Sequence, residues 1–221
     1  MKKLEPSFQG TLRRVDHFQE EVLSALGQES TLEDIFVEKT VLSGVDFSAA
    51  ELRRVHFRSC RFVGCNWTGA SLEDVLAEYC DWSGSRLTGS RWYRCRWTGC
   101  KGVGVDWSGG VLHGMVFTDC NFSSANFNLS TLKQVSFVGT DLAGAQLSQC
   151  RQKSLELKRC HLAETNFFKT ALGGLDITSC QMEGLVLSQS GEELKGLIVD
   201  TLQAAVLARR LGLVVQDGAG R

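Results

Sequence analysis

The side chains with the greatest chemical potential in this 221-residue chain are nine cysteines and four histidines, because thiols and imidazoles bind metals and act in catalysis. A zinc site of the common type needs a Cys-x-x-Cys pair, and the sequence has none. We also find no nucleophile, base and orienting group in a pattern that indicates an active site. The sequence therefore predicts a protein that is not an enzyme and that uses no metal or cofactor.

Disulfide bonds are not expected either, because the chain carries no sign of export. The run from Met1 to Pro6 lacks the apolar core of a signal peptide, and no apolar run approaches the roughly 20 residues of a membrane helix. The formal net charge is −1, so bulk electrostatics gives no reason for direct binding to nucleic acid or to a membrane. We expect a cytoplasmic protein with reduced thiols.

A repeat of five residues organises most of the chain. Every fifth position from Leu32 to Leu187 is bulky and apolar in 29 of 32 cases, and all five tryptophans lie in this column. The exceptions are Ala77, Gly102 and Gln152. No residue is inserted or lost over this stretch, so no loop is expected to interrupt it.

Two further columns share the same frame. The position two residues before each bulky residue holds all nine cysteines and is otherwise mostly small, which suits an inward side chain of limited size. The position two residues after it holds 13 of the 23 glycines, which is typical of a turn. Because a period of five fits neither a helix nor a strand, it indicates a chain that turns a corner every five residues. Four such sides form a 20-residue coil with a square cross-section.

Stacked coils of this kind predict an all-β solenoid. Residues 30–189 would form about eight coils, and their backbone groups would pair with the coils above and below at a spacing of about 4.8 Å. The rod would be roughly 40 Å long, since eight coils stack at that spacing. Each side would direct its large and its small column inward and leave the other three positions outside or at the corner.

Stacking also explains the cysteines, because six of them share one register of 20 residues. Their Cβ atoms would lie about 4.8 Å apart, whereas a disulfide needs about 3.8 Å. We therefore expect a ladder of small, reduced side chains, with a metal or redox site as the alternative. Histidines do not support that alternative, because His56, His113 and His161 fall on outward positions of three different sides. The six cysteines are Cys60, Cys80, Cys100, Cys120, Cys160 and Cys180.

The amino-terminal residues 1–29 lose the five-residue period. Apolar residues recur there at helical spacing, and Gly27 follows as a possible end of the helix. We expect a short helix that covers the first coil, because an open solenoid end exposes apolar surface and unpaired backbone. The apolar residues of this segment are Leu12, Val15, Phe18, Val22 and Leu26.

The carboxyl-terminal residues 190–221 also change character. Asp200 to Gln203 has the form of a capping box, and Gly212 would end the helix that follows it. One apolar face is predicted on this helix, with a short strand after it at residues 213–215. The segment could cap its own rod or pair with a second copy. The apolar face comprises Leu202, Val206, Leu207 and Leu211, and the strand is Leu213-Val214-Val215.

The five-residue frame resembles the pentapeptide-repeat family, whose pattern is Ala-(Asp/Asn)-Leu-x-x. Local matches begin at Ala125, Thr140, Ala145 and Thr165, and the resemblance covers about 160 of the 221 residues. It implies a right-handed quadrilateral β-helix. The tail from Gly196 to Val215 is similar to the carboxyl-terminal segment of the Qnr and MfpA group within this family.

That closer resemblance implies a function. Qnr and MfpA proteins are rods that dimerise tail to tail through this segment, and they bind DNA gyrase, and often topoisomerase IV, by imitating a DNA duplex. It implies protection from, or modulation of, gyrase poisoning, and a homodimer. The implied dimerisation residues are Leu202, Val206, Leu207, Leu211, Leu213 and Val215. Qnr proteins that protect against quinolones usually carry loops, and this chain resembles the loopless MfpA type.

Surface charge is the feature that a DNA mimic must arrange, since duplex DNA carries one charge per ~1.7 Å. Residues 30–189 contain 16 acidic and 16 basic residues, so charge can be segregated only by side. The side centred on positions 42 to 182 carries four acids and two bases and is the expected partner-binding strip. Its acids are Asp81, Asp141, Glu164 and Glu183. The side centred on Leu52, Leu72 and Trp92 is net positive, with Arg53, Arg54, Arg91 and Arg94. A protein-interaction scaffold with another partner is the alternative function.

Overall fold

The computed structural model describes residues 4–8 and 10–216, and it shows a β-solenoid with a helix near each end. This confirms the predicted fold class. Helix α1 spans Phe18–Gly27, α2 spans Thr201–Arg210, and a 3₁₀ helix covers Glu192–Leu194. The strands are β1 Arg13–Val15, β2 Leu32–Glu38, β3 Val41–Ser43, β4 Glu51–Arg58, β5 Arg61–Val63, β6 Ser71–Glu78, β7 Arg91–Tyr93, β8 Arg96–Thr98, β9 Val111–His113, β10 Val116–Thr118, β11 Thr131–Lys133, β12 Ser136–Val138, β13 Arg151–Lys153 and β14 Glu156–Lys158.

Parallel pairing with an offset of 20 residues stacks the coils. Seven successive steps of this size link Asp46 to Val186, in agreement with about eight coils. Two of the four sides carry most of the strands, and the other two are turn-rich and joined largely by isolated bridges. Each coil thereby satisfies backbone groups of its neighbours, as the five-residue period predicts.

The interior contains the two predicted columns. All five tryptophans are buried, and neighbouring rings form a continuous stack; the Trp82 and Trp97 centroids are 4.8 Å apart. Gly102 is explained by its neighbour, because a Cβ atom added there would lie 2.4 Å from the Phe122 ring. The missing side chain therefore makes room for an aromatic ring in the next coil.

The predicted turn lies two residues after each bulky residue, where the backbone adopts the left-handed region at nearly every corner. Gly64 has φ of +64°, and Arg54 has φ of +52° in the same position of another side. Glycine also makes room for its neighbours here: a Cβ atom on Gly99 would meet the Tyr79 ring at 2.7 Å. The glycine column thus reflects both backbone conformation and close packing.

All nine cysteines are buried free thiols, as the ladder interpretation predicts. Their sulfur atoms contact backbone groups of adjacent coils; the Cys60 amide donates to Cys80 Sγ at 3.4 Å. Burial raises the pKa of Cys95 to about 12, which keeps it a neutral thiol at physiological pH. In the described residues no cluster of histidine, cysteine and acidic side chains is arranged to hold a metal ion.

The amino-terminal cap differs from its prediction in extent. Helix α1 begins at Phe18, so the proposed helical positions Leu12 and Val15 lie before it, and Val15 pairs with Val37 through β1 and β2. The prediction failed because Val15 satisfies both helical spacing and the inward position of an added strand. Gly27 is the last helical residue, with Gln28 after it as the cap.

Packing of α1 closes the first coil. Phe18 inserts into the aromatic core, with its ring 5.3 Å from that of Phe57 and 5.7 Å from that of Phe47. Val22, one turn further along the helix, is also buried. The helix therefore covers apolar surface that the open end would expose.

The carboxyl-terminal end is closed by an irregular segment and α2. The Leu172 amide donates to the Glu193 carbonyl at 3.0 Å, so residues near 193–198 act as a further layer. Asp200 and Gln203 form the predicted capping box. Gly212, with φ of +86°, ends the helix in a Schellman arrangement in which the Leu213 amide donates to the Ala208 carbonyl. The strand predicted at 213–215 is wrong: these residues form no strand, because they pair with no neighbouring one.

One interruption breaks the stacking. Among the described residues, no backbone hydrogen bond joins 151–159 to 171–179, one coil further on. The other two sides of the same coils remain paired, as in the 2.7 Å bond from the Leu162 amide to the Gln181 carbonyl. The solenoid is therefore continuous on two sides and open on two sides at this level.

Candidate functional site

The predicted acidic strip lies on one side of the rod, and its first acid lies between two bases. The Asp81 backbone bridges to Arg61 in the preceding coil and to Lys101 in the following coil, so a base stands in register on each side of it. Asp81 Oδ1 also accepts a hydrogen bond from the Ser83 amide at 3.0 Å, which stabilises the local turn. Over these three coils the strip therefore carries a net charge of +1.

The other acids of the strip lie together at the carboxyl-terminal end. Asp141 accepts a hydrogen bond from the Ala143 amide at 2.9 Å and contacts His161 Nδ1 at 3.2 Å. Glu164 lies in the next coil, where its side chain covers Gly184, and its amide donates to the Glu183 carbonyl at 2.8 Å. Asp141, Glu164 and Glu183 thus occupy three successive coils, which span roughly 10 Å.

Helix α2 adjoins this acidic end. A shallow groove of 240 Å³ is lined by Met182 and Glu183 of the last coil and by Leu202 and Val206 of the helix. The structure thereby brings one of the predicted acids, Glu183, together with two residues of the predicted apolar tail. Nothing in the spacing of the sequence predicts this proximity, because it depends on the direction in which the chain returns after the last coil.

The predicted apolar face of α2 is divided between two sides of the helix. Leu207 is only 8% exposed and packs on the rod, and Gln203 is buried beside it. Gln203 Nε2 donates to the carbonyls of Ile177 and Cys180 at 2.9 Å each, which fixes the helix to its own protomer. Gln203 has this second role besides capping, which sequence reasoning did not predict.

The remaining apolar residues of the tail face solvent. Leu202 is 80% exposed, and Val206, Leu211 and Leu213 are each about half exposed. Val215 is half-buried. Val214, which sequence reasoning did not assign to dimerisation, is 89% exposed. An exposed apolar patch of this kind on a short terminal segment is typical of a protein-interaction surface.

The arginine side is the side centred on positions 32 to 172, and its first coils form a ladder of ion pairs. Arg54 contacts Asp34 and Glu33 of the preceding coil. Two coils further along, Arg94 makes the equivalent contacts with Asp74 and Glu73. Each partner lies 20 or 21 residues away, so sorting the sequence by coil would have paired them. The predicted positive charge is therefore largely neutralised here.

Hydrogen bonds within the ladder hold its acids in place and lower the pKa of one of them. The Arg54 guanidinium holds the pKa of Asp34 below its usual range. Asp74 is buried, with Arg94 at 2.6 Å and the Ser7 amide at 2.9 Å from its oxygens. The amino-terminal segment thus covers part of this network, and these arginines serve the fold.

A rod of stacked coils, each in contact only with its neighbours, belongs to the class of solenoid repeat proteins. Residues 90–167 match the family described as Pentapeptide repeat region, and residues 50–89 match the one described as Pentapeptide repeats (8 copies). Together the two matches span more than half of the chain. The chain is a member of the pentapeptide-repeat family.

Solved structures give the same fold. Two trypsin-treated forms of QnrB1, a plasmid-mediated fluoroquinolone resistance protein, are 15% and 18% identical to this chain, each with a TM-score of 0.54. They cover 82% and 81% of this chain and 100% and 99% of their own. At this identity the likeness shows a shared fold.

No curated protein matches the sequence. Neither described helix is long and apolar enough to cross a membrane.

Proposed function

We propose that this protein is a non-enzymatic DNA mimic that binds DNA gyrase and modulates its response to poisons such as quinolones. The observation that carries the proposal is the run of Asp141, Glu164 and Glu183 on three successive coils, the last of which places Glu183 in one groove with exposed apolar residues of α2. A rigid rod loses little conformational entropy on binding, so a preformed acidic surface suits a basic DNA-binding channel. Topoisomerase IV is proposed as a second partner.

A tail-to-tail homodimer would complete this surface. Leu202, Val206, Leu211 and Leu213 offer apolar area to a second copy, with Val215 at the edge, while Leu207 supports the helix from inside the protomer. Two rods joined in this way would be roughly 80 Å long and would place the acids of both protomers on either side of the junction. The largest negative potential would then lie at the centre of the dimer.

The test of the function is a gyrase supercoiling and DNA-cleavage assay with and without a quinolone. We expect the protein to inhibit supercoiling or to relieve drug-induced cleavage, and Glu164→Lys combined with Glu183→Lys to abolish the effect. Asp81→Lys is the matched control, because Asp81 lies between Arg61 and Lys101, where the strip is already net positive. Absence of any effect of the native protein on gyrase would overturn the proposal; the same assay with topoisomerase IV tests the second partner.

The dimer is tested separately by light scattering. Leu202→Asp combined with Val206→Asp should halve the molar mass, because both side chains are exposed in the protomer and would be buried between copies. Val103→Asp, which changes an exposed residue on the rod away from α2, should leave the mass unchanged. A native protein that is monomeric at micromolar concentration would remove dimerisation from the proposal.

A protein-interaction scaffold with another partner is the second candidate. The observation that favours it is the position of Asp81 between Arg61 and Lys101, which leaves the excess of acids on this side at one end of the rod. No binding to gyrase, or gyrase binding that competing duplex DNA does not weaken, would favour the scaffold, because a DNA mimic must compete with DNA.

A further inference from the structure

The open level of the solenoid is a local feature with an identifiable cause. Gln152 occupies the inward column where a bulky apolar residue is usual. Its Nε2 donates to the Ala171 carbonyl at 3.1 Å, and its Oε1 accepts from the Leu155 amide at 3.3 Å. The side-chain amide therefore takes the place of the backbone pairing that joins the two coils elsewhere.

The coil after the opening is hydrogen-bonded on the side away from the opening, to the terminal segment. The Gly174 amide donates to the Gly196 carbonyl at 2.8 Å, and the Ile177 amide donates to the Ile198 carbonyl at 3.1 Å. Coil residues 171–179 thus pair with the terminal segment and not with residues 151–159. The separation is stabilised on both sides of the opening.

Strand β14 consequently has a free edge. In a parallel ladder the amide and carbonyl of alternate residues face the same neighbour, and those of Leu157 face the missing one. Within the described residues, neither group has a backbone partner on that side. The amide of Arg159, which would continue the ladder, donates instead to Ser179 Oγ at 3.0 Å. A groove of about 630 Å³ lies between residues 154–159 and 174–179.

Positive charge is in excess around this groove: Lys158 and Arg159 line it, and Lys153 directly precedes Ser154 of the lining. Four bases and two acids lie on residues 151–159 and 174–179, for a net charge of +2. Lys158 is partly neutralised, with its Nζ 2.5 Å from Glu156. Lys153 pairs directly with Lys133 of the preceding coil, and like charges in that position repel each other. A ligand with negative charge would relieve that repulsion. The bases are Arg151, Lys153, Lys158 and Arg159, and the acids are Glu156 and Asp176.

We propose that this groove binds an extended acidic segment of a partner protein, which adds a strand to the free edge of β14. The backbone of the segment would pair with the amide and carbonyl of Leu157, and its carboxylates would contact Arg159 and Lys153. Strand addition of this kind takes affinity from the main chain and specificity from side chains. The groove lies on different sides of the rod from the acidic strip, so the proposal is independent of gyrase binding.

The probe is a fluorescein-labelled ten-residue peptide with alternating glutamate and threonine or valine, and the measurement is fluorescence anisotropy. We expect saturable binding that Arg159→Glu combined with Lys153→Glu weakens by about ten-fold or more, since opposite charges become like charges. Arg91→Glu is the matched control, because Arg91 occupies the register of Arg151 three coils away. It should leave the affinity unchanged.

Two further arms separate strand addition from simple charge attraction. A peptide N-methylated at alternate residues keeps its charge and loses its backbone donors, so it should bind at least about ten-fold more weakly. Hydrogen exchange at the Leu157 amide should slow when the native peptide is bound. Equal binding of the methylated peptide, displacement by inorganic polyphosphate without any change at Leu157, or no binding of the native peptide would overturn the proposal.

Discussion

The middle of the rod and its carboxyl-terminal end differ in how their coils are packed and paired. From Phe47 to Phe137 the core is a continuous stack of aromatic rings, every coil is paired with the next, and ion pairs connect its first coils. Beyond Leu142 the inward column is mostly aliphatic, two sides are unpaired at one level, and the surface charge is divided into an acidic and a basic region. Because each coil contacts only its neighbours, one end can depart from the pattern without disturbing the other.

The largest expected effect comes from the aromatic middle. Trp97→Ala should lower the free energy of unfolding by about 3–5 kcal/mol, because Trp97 contacts rings above and below it and the cavity cannot collapse. Leu157→Ala at the open level should cost about 2 kcal/mol, since the groove beside it lets neighbours relax. Urea denaturation followed by circular dichroism measures both. Equal losses would remove the distinction between the two regions.

A glycine in the middle offers a second test of tight packing. Gly102→Ala should cost about 1–3 kcal/mol, because the added Cβ would overlap the Phe122 ring. Combining it with Phe122→Leu should recover part of the loss relative to the sum of the single changes. Strict additivity in thermal denaturation would show that the ring does not occupy the space left by Gly102.

The open level should close when its polar residue is replaced. Gln152→Leu should raise the free energy of unfolding by about 1 kcal/mol, because the backbone of the two coils could then pair. Leu132→Gln, which changes the equivalent position one coil earlier, is the matched control and should destabilise the protein. Hydrogen exchange at Leu157 is expected to slow in Gln152→Leu; exchange as fast as in the native protein would contradict this cause of the opening.

The smallest expected effect is on the stability of the ion-pair ladder at acidic pH. Arg54 lowers the pKa of Asp34 in the folded state. The ion pair therefore contributes its full stability above the unfolded pKa of Asp34, which is about 4. It is lost as pH falls through the lowered folded value. Arg54→Met should therefore flatten the loss of stability as the pH falls below about 4 in urea titrations. Arg91→Met, whose residue has no ion pair within the described residues, should leave the profile as it is; an unchanged profile for both would contradict the role of the pair.

Sequence period alone predicts most of the fold, because it specifies which side chains face inward in every coil. It identified Gln152 as an exception, but it could not predict the opening, since loss of pairing depends on how the next coil bonds to the terminal segment. Likewise, helical spacing placed Leu207 with Leu202, whereas the path of the chain after the last coil decides which face of α2 meets the rod. The prediction of where α1 begins was wrong because Val15 fits both helical spacing and an inward strand position, and the sequence alone does not decide between them.

The tryptophan stack has a spectroscopic consequence. All five indoles lie between residues 67 and 107, with centroids of neighbouring rings 4.8 to 6.0 Å apart. Intrinsic tryptophan fluorescence therefore reports on about two coils in the centre of the rod and does not report on either end. Far-ultraviolet circular dichroism reports on the whole backbone, so the difference between the two unfolding curves measures how far the ends come apart before the centre does.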